Sequence, residues 1–146
     1  MRGNTVTLKA TGAETGGALT FTEIEAVPGG GPPLHVHAVE DEWFYVLEGE
    51  LTVWVADTKL SLTPGSFAFG PKSVPHTFYV ETGVARMLVG FAPMQFEGFQ
   101  REVGEPALER VLPQPADGPP DIGRLIPIAK RNGFEILGPP GPPPGH

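Results

Sequence analysis

The chain contains no cysteine. Disulfides, zinc ribbons, thiolate metal sites and cysteine nucleophiles are excluded at once, and the absence fits a reducing compartment. Positive charge is also scarce: 10 Lys and Arg stand against 17 Asp and Glu, for a net charge of −7. The ten are scattered, whereas a nucleic-acid surface needs clustered cations, so no nucleic-acid partner is expected. No apolar run approaches the roughly 18 residues of a membrane span. Met1 to Ala10 is polar and lacks the apolar core of a signal peptide, so a cytoplasmic protein with no membrane partner is expected. Helix-forming runs are few as well. The 146 residues include 20 glycines and 18 prolines, which interrupt helices and favour turns.

What is present is a series of short alternating segments. Val6, Leu8 and Ala10 alternate with polar residues in an edge strand, and Leu19 to Val27 alternates again. Further strands are expected at Leu34–Val36, Glu42–Glu48, Leu51–Ala56, Leu60–Leu62, Ser66–Phe69, His76–Val80 and Val84–Phe91. Turns recurring every 8–12 residues indicate an all-β sandwich or barrel, and the length favours one domain. After Pro93 the pattern changes. A short helix is expected around Glu105–Val111 and a linker over Pro113–Pro120. Apolar residues at 122, 125, 126 and 129 give helical spacing, which Pro127 should kink or delay and Asn132-Gly133 should stop. Phe134–Leu137 reads as a last strand. The expected division is a barrel over 1–95, an extension packing on it over 96–137, and a disordered Pro/Gly-rich tail over 138–146.

The histidines carry the chemistry. His35 and His37 are spaced i, i+2, which on a strand puts both imidazoles on one face. Glu42 follows after a tight turn, and His76 arrives on a later strand. Imidazoles with one carboxylate suit Fe, Mn, Co, Ni, Cu or Zn. On composition alone, His-x-His is often incidental and Glu40-Asp41-Glu42 would be a solvated turn. The spacing Gly29-x5-His35-x-His37-x4-Glu42-x6-Gly49, however, is that of the first cupin motif. Gly65-x5-Pro71 followed by His76 resembles the second, with Ser73 in place of a usual Gly and Val80 in place of a usual Asn. Asp41-Glu42-Trp43-Phe44-Tyr45-Val46-Leu47-Glu48-Gly49-Glu50 resembles cupins described as quercetin-dioxygenase-like. The core resemblance covers roughly residues 19–92.

That resemblance implies a cupin jelly-roll β-barrel (double-stranded β-helix) with a short irregular or helical C-terminal extension. It implies one divalent transition metal per chain on His35, His37, Glu42 and His76: iron or manganese first, then nickel, cobalt, copper or zinc. Four protein ligands leave two octahedral positions open, as a catalytic site requires; a closed tetrahedral zinc site is the structural alternative. The motif selects Glu42 over Glu40, so Glu40→Gln is expected to do little. Ligand histidines must be neutral, so metal affinity is expected to fall below about pH 6.

Strand parity puts Phe44 and Val46 on the Glu42 face and Phe78 on the His76 face. Phe67, Phe69, Phe91 and Met94 are candidate further walls of an apolar substrate pocket. The function expected is oxidation of a small enolic or aromatic compound by a dioxygenase, with Glu42 both ligand and base. A metal-dependent isomerase or lyase, or a non-catalytic small-molecule-binding cupin, is the alternative. No organic cofactor is expected, because Gly29-Gly30-Gly31 lacks the helix that a nucleotide fingerprint needs. Trp43, Tyr45 and Trp54 fall on the opposite face; with edge strands at Val6 and Leu19 they point to a homodimer.

Overall fold

The structure, a computed structural model, describes residues 4–104 and 121–144. Among the described residues ten strands and two helices follow one another: β1 (Asn4–Ala10), β2 (Thr20–Ala26), β3 (Pro33–His37), β4 (Asp41–Glu48), β5 (Leu51–Val55), β6 (Thr58–Leu62), β7 (Phe67–Gly70), β8 (His76–Tyr79), β9 (Ala85–Ala92), α1 (Phe96–Val103), α2 (Ile122–Arg131) and β10 (Phe134–Pro140). The strands form two five-stranded antiparallel sheets, ordered β1-β2-β9-β4-β7 and β10-β3-β8-β5-β6. Alternation decides which side chains enter the space between the sheets. Phe44 and Val46 of β4, Val53 of β5, and Met87, Val89 and Phe91 of β9 are all at most 1% exposed and belong to one core. This is the jelly-roll architecture the motifs imply. No helix among the described residues is long and apolar enough to cross a membrane.

Four features differ from expectation. Leu19 precedes an interior strand, since β2 lies between β1 and β9; β1 is the true edge. The first C-terminal helix begins at Phe96, earlier than expected, and the expected helix at 105–111 lies outside the described residues. Pro127 does not delay the start of α2, which begins at Ile122. Asp121 caps the helix, its carboxylate accepting from the Arg124 N–H (3.2 Å), and the lost bond falls on the carbonyl of exposed Gly123 in the first turn. β10 runs on to Pro140, whose Cα pairs with that of Pro33, so the first residues assigned to a disordered tail are in the sheet.

The extension is therefore part of the second sheet. β10 pairs with β3 in the register Phe134–His37 and Ile136–His35, alongside the strand that carries two histidines. Phe96, Phe99, Leu125, Ile128 and Phe134 join the same core as the barrel residues. Turn chemistry holds the motif ends in place. Gly49 has φ 77°, and a Cβ there would lie 2.2 Å from the Val84 carbonyl oxygen. Ser73, where Gly is usual, still takes the left-handed conformation (φ 66°), and its N–H donates to the His37 carbonyl at 2.7 Å.

Candidate metal centre

Two neighbouring antiparallel strands and one strand of the facing sheet bring the four residues together. β3 carries His35 and His37 on one face, and β8 places His76 opposite His35 in register. β4 carries Glu42 from the facing sheet. Gly70 of β7 lies behind His76; a Cβ there would come within 3.3 Å of Nδ1. All four side chains are buried, between 0% and 5% exposed.

The three Nε2 atoms converge on one oxygen. Glu42 Oε2 lies 2.5 Å from His76 Nε2, 3.1 Å from His37 Nε2 and 3.8 Å from His35 Nε2. The far nitrogens face away. His35 Nδ1 donates to the Pro33 carbonyl at 2.7 Å, and His76 Nδ1 to the Val74 carbonyl at 3.2 Å. A carbonyl only accepts, so both rings carry their proton on Nδ1 and aim Nε2 at the carboxylate. An unprotonated Nε2 against a carboxylate oxygen sets lone pair against lone pair. A proton or a cation must lie between them.

The ionisation of the cluster follows. Burial lowers His35 to about 4, and charge on His76 adds to the effect. Burial would also lower His37, but Glu40 and Glu42 outweigh it and push it up to about 9. Burial would raise Glu42; charge on His76 and the imidazoles gathered around its carboxylate instead hold it well below the usual carboxylate range.

Glu40 is a correction. It was expected in a solvated turn, yet it is 1% exposed. Its Oε1 stands 3.0 Å from His37 Nδ1, and its Oε2 accepts from the Phe96 N–H at 3.1 Å. Its i, i+3 spacing from His37 is the only signal in the sequence, and it is indistinguishable from that of any surface acid.

The family model described as "Cupin domain" matches residues 22–91. The chain belongs to the cupin superfamily. Over 79 residues this cupin is 32% identical to quercetin 2,3-dioxygenase of Bacillus subtilis (strain 168); the match covers 54% of the chain and only 23% of that protein. It is 35% identical to TT1209 from Thermus thermophilus, with a TM-score of 0.51, over 53% of this chain and 74% of that one. The polyketide cyclase RemF from Streptomyces resistomycificus superposes with a TM-score of 0.56 at 27% identity, over 63% and 66% of the two chains.

The four residues of this cupin fit a metal ion. Their ligand atoms all lie within 4.8 Å of one another, and they could hold one. His35 Nε2 is buried without a hydrogen-bond partner, and a cation would give it one. The donor set, imidazole nitrogen plus carboxylate oxygen, is one that first-row transition metals accept.

The apolar surroundings differ in part from the walls expected. Phe44 lies 6.2 Å from His76 and Phe91 6.0 Å from His37, ring centre to ring centre, and Val46 and Phe78 are buried behind them. Phe67 and Phe69 are 59% and 47% exposed and point outward. The reason is local. Ala68 and Gly70 occupy the inward positions of β7, with Gly70 against His76, so parity turns both phenylalanines out. Met94 is 39% exposed and covers Gly12. The missing walls come from the extension. Phe96 lies 5.2 Å from His37 and 6.4 Å from His35, and Phe134 lies 5.4 Å and 5.8 Å from the same rings. Two surface grooves, one edged by Val36, Ser73 and Lys130 and the other by Ile122, Ile126 and Leu137, touch none of the four cluster residues.

Proposed function

We propose that His35, His37, Glu42 and His76 hold one divalent transition metal, iron or manganese first, and that this cupin uses it to oxidise a small enolic or aromatic compound with O2. The observation that carries this is the aromatic enclosure of the cluster. Phe44, Phe91, Phe96 and Phe134 surround it, and among the described ion pairs no Lys or Arg reaches it. Arg86 is on the outer surface, bridging Glu23 (3.3 Å) and Glu48 (2.7 Å). An anionic sugar phosphate would find no Lys or Arg here among the described ion pairs; a flat phenolate or enolate finds apolar walls. The metal would supply Lewis acidity to a substrate oxygen. Glu42 meets the histidines through Oε2, which leaves Oε1 to take the substrate's hydroxyl proton. The buried walls exclude water. The resemblance to quercetin 2,3-dioxygenase supports O2 as co-substrate, and the resemblance to a polyketide cyclase supports the alternative, metal-assisted chemistry without O2.

The test is O2 uptake after separate reconstitution with Fe(II), Mn(II), Co(II), Ni(II) and Cu(II), using flavonols, β-diketones and catechols. Uptake with at least one pairing, lost in His37→Ala, is the expected result. Turnover without O2 would establish the isomerase or lyase function, and tight anaerobic binding with no turnover a binding module.

We also propose a homodimer, assembled on the outer face of the first sheet. Trp43 and Tyr45 of β4 pair with Phe69 and Phe67 of β7, and Leu88 of β9 lies opposite Tyr45. Tyr45, Phe67 and Phe69 are all more than 40% exposed. Trp54 takes no part: it is 2% exposed, with the Lys59 ammonium 6.0 Å from its ring centre. A contiguous apolar face of this kind favours a partner of equal shape. Sedimentation should give twice the chain mass, and Phe67→Lys combined with Tyr45→Lys should give the monomer. A monomer for the unmodified chain at every concentration would refute the assembly.

A further inference from the structure

Of the three histidines, His37 is held differently. His35 and His76 each rest Nδ1 on the backbone carbonyl two residues earlier. His37 Nδ1 faces a carboxylate instead, Glu40 Oε1 at 3.0 Å. Both atoms are buried, and neither has a hydrogen-bond partner besides this contact. A carboxylate 1% exposed is costly unless it is satisfied, and among the described ion pairs no Lys or Arg approaches Glu40. Its second oxygen is committed elsewhere, accepting from the N–H of Phe96, the first residue of α1. The one carboxylate thus touches an imidazole of the cluster and the start of the helix that supplies an aromatic wall.

We propose that Glu40 is a positioning residue. It holds His37 as the Nδ1–H tautomer, with Nε2 bare toward the cluster, and through the Phe96 N–H it fastens the aromatic wall to the same side chain. The proposal rests on the metal site proposed above. Carboxylates behind ligand imidazoles orient the ring and raise its basicity. A glutamine cannot replace Glu40. It has one acceptor oxygen, so either His37 or the Phe96 N–H loses its partner.

The experiment uses the full chain loaded with Zn(II). In Glu40→Gln, chelator competition should show a loss of Zn(II) affinity of about 10–100-fold, and the Phe96 amide should exchange with solvent faster. Imidazole proton–nitrogen spectra supply a readout that a purely structural role would not move. In the unmodified chain all three imidazoles should be Nδ1–H tautomers, with the His37 proton furthest downfield because it alone faces a carboxylate. In Glu40→Gln that signal should move upfield while those of His35 and His76 stay. Unchanged affinity in Glu40→Gln would overturn the proposal, and so would lost affinity with an unmoved His37 signal. Should Glu40→Gln not fold, the unmodified chain decides alone: an Nε2–H tautomer at His37 overturns the proposal. Failure of the metal site is a separate result, an unmodified chain that takes up no Zn(II) at all.

Discussion

Replacing His76 by alanine is expected to abolish metal retention. His76 Nε2 is the donor nearest Glu42, and Val74 and Gly70 already hold its ring in place. Losing a donor should cost more than losing a group behind one, so affinity should fall by at least about 100-fold. Elemental analysis of protein purified in parallel should show about one transition metal per unmodified chain and almost none in His76→Ala. Full retention in the variant would end the assignment. Metal should also stabilise the fold, by about 4 kcal/mol at a thousandfold excess over Kd, and this increment should vanish in His76→Ala. Uptake will depend on pH over a higher range than an isolated imidazole suggests. Burial would lower His37, but Glu40 and Glu42 push it up to about 9 in the metal-free protein. Below that value a metal must displace a proton from His37. Affinity should therefore fall as the pH drops from about 9, roughly tenfold per unit for one proton. Affinity that is flat from pH 9 to 7 would contradict this.

Phe134→Ala is expected to destabilise the protein by about 3–5 kcal/mol, a large fraction of a small domain's stability. Phe134 is 6% exposed, and its ring centre lies 4.6 Å from that of Phe99 and 5.1 Å from that of Phe96. Truncation leaves a void beside two cluster histidines that strand pairing prevents from collapsing. Leu137, on the same strand but 44% exposed, is the control; Leu137→Ala should change stability by about 0.5 kcal/mol or less. Urea unfolding in the presence of chelator separates this loss from any loss of metal. Equal effects of the two substitutions would show that the extension is only loosely attached to the barrel.

Much of the fold was legible because alternation and turns are local. A strand needs only residues two apart to declare its inner face, and Phe44 and Val46 were placed correctly on that ground. β7 shows where this fails. Four residues give two alternatives of parity, and hydrophobicity favours turning Phe67 and Phe69 inward. The opposite parity wins because the His76 ring needs the space that only Gly70 leaves, a contact between strands that β7 itself does not encode. Trp54 was likewise assigned to an exposed face on parity, yet it is covered.

By itself the sequence determined the class of fold and the spacing of His35, His37 and Glu42, since His-x-His on a strand and a carboxylate five residues on are short-range facts; His76 was joined to them only by the resemblance to the second cupin motif. Only the tertiary structure decided what surrounds them. Glu40 becomes a buried partner of His37 because α1 closes over it and donates the Phe96 N–H. Phe96 becomes a wall because α1 packs over the cluster, and Phe134 because β10 adds to the sheet at β3, nearly one hundred residues away along the chain. Pairing between distant strands depends on the shape and burial of the whole assembly, and no local periodicity contains that.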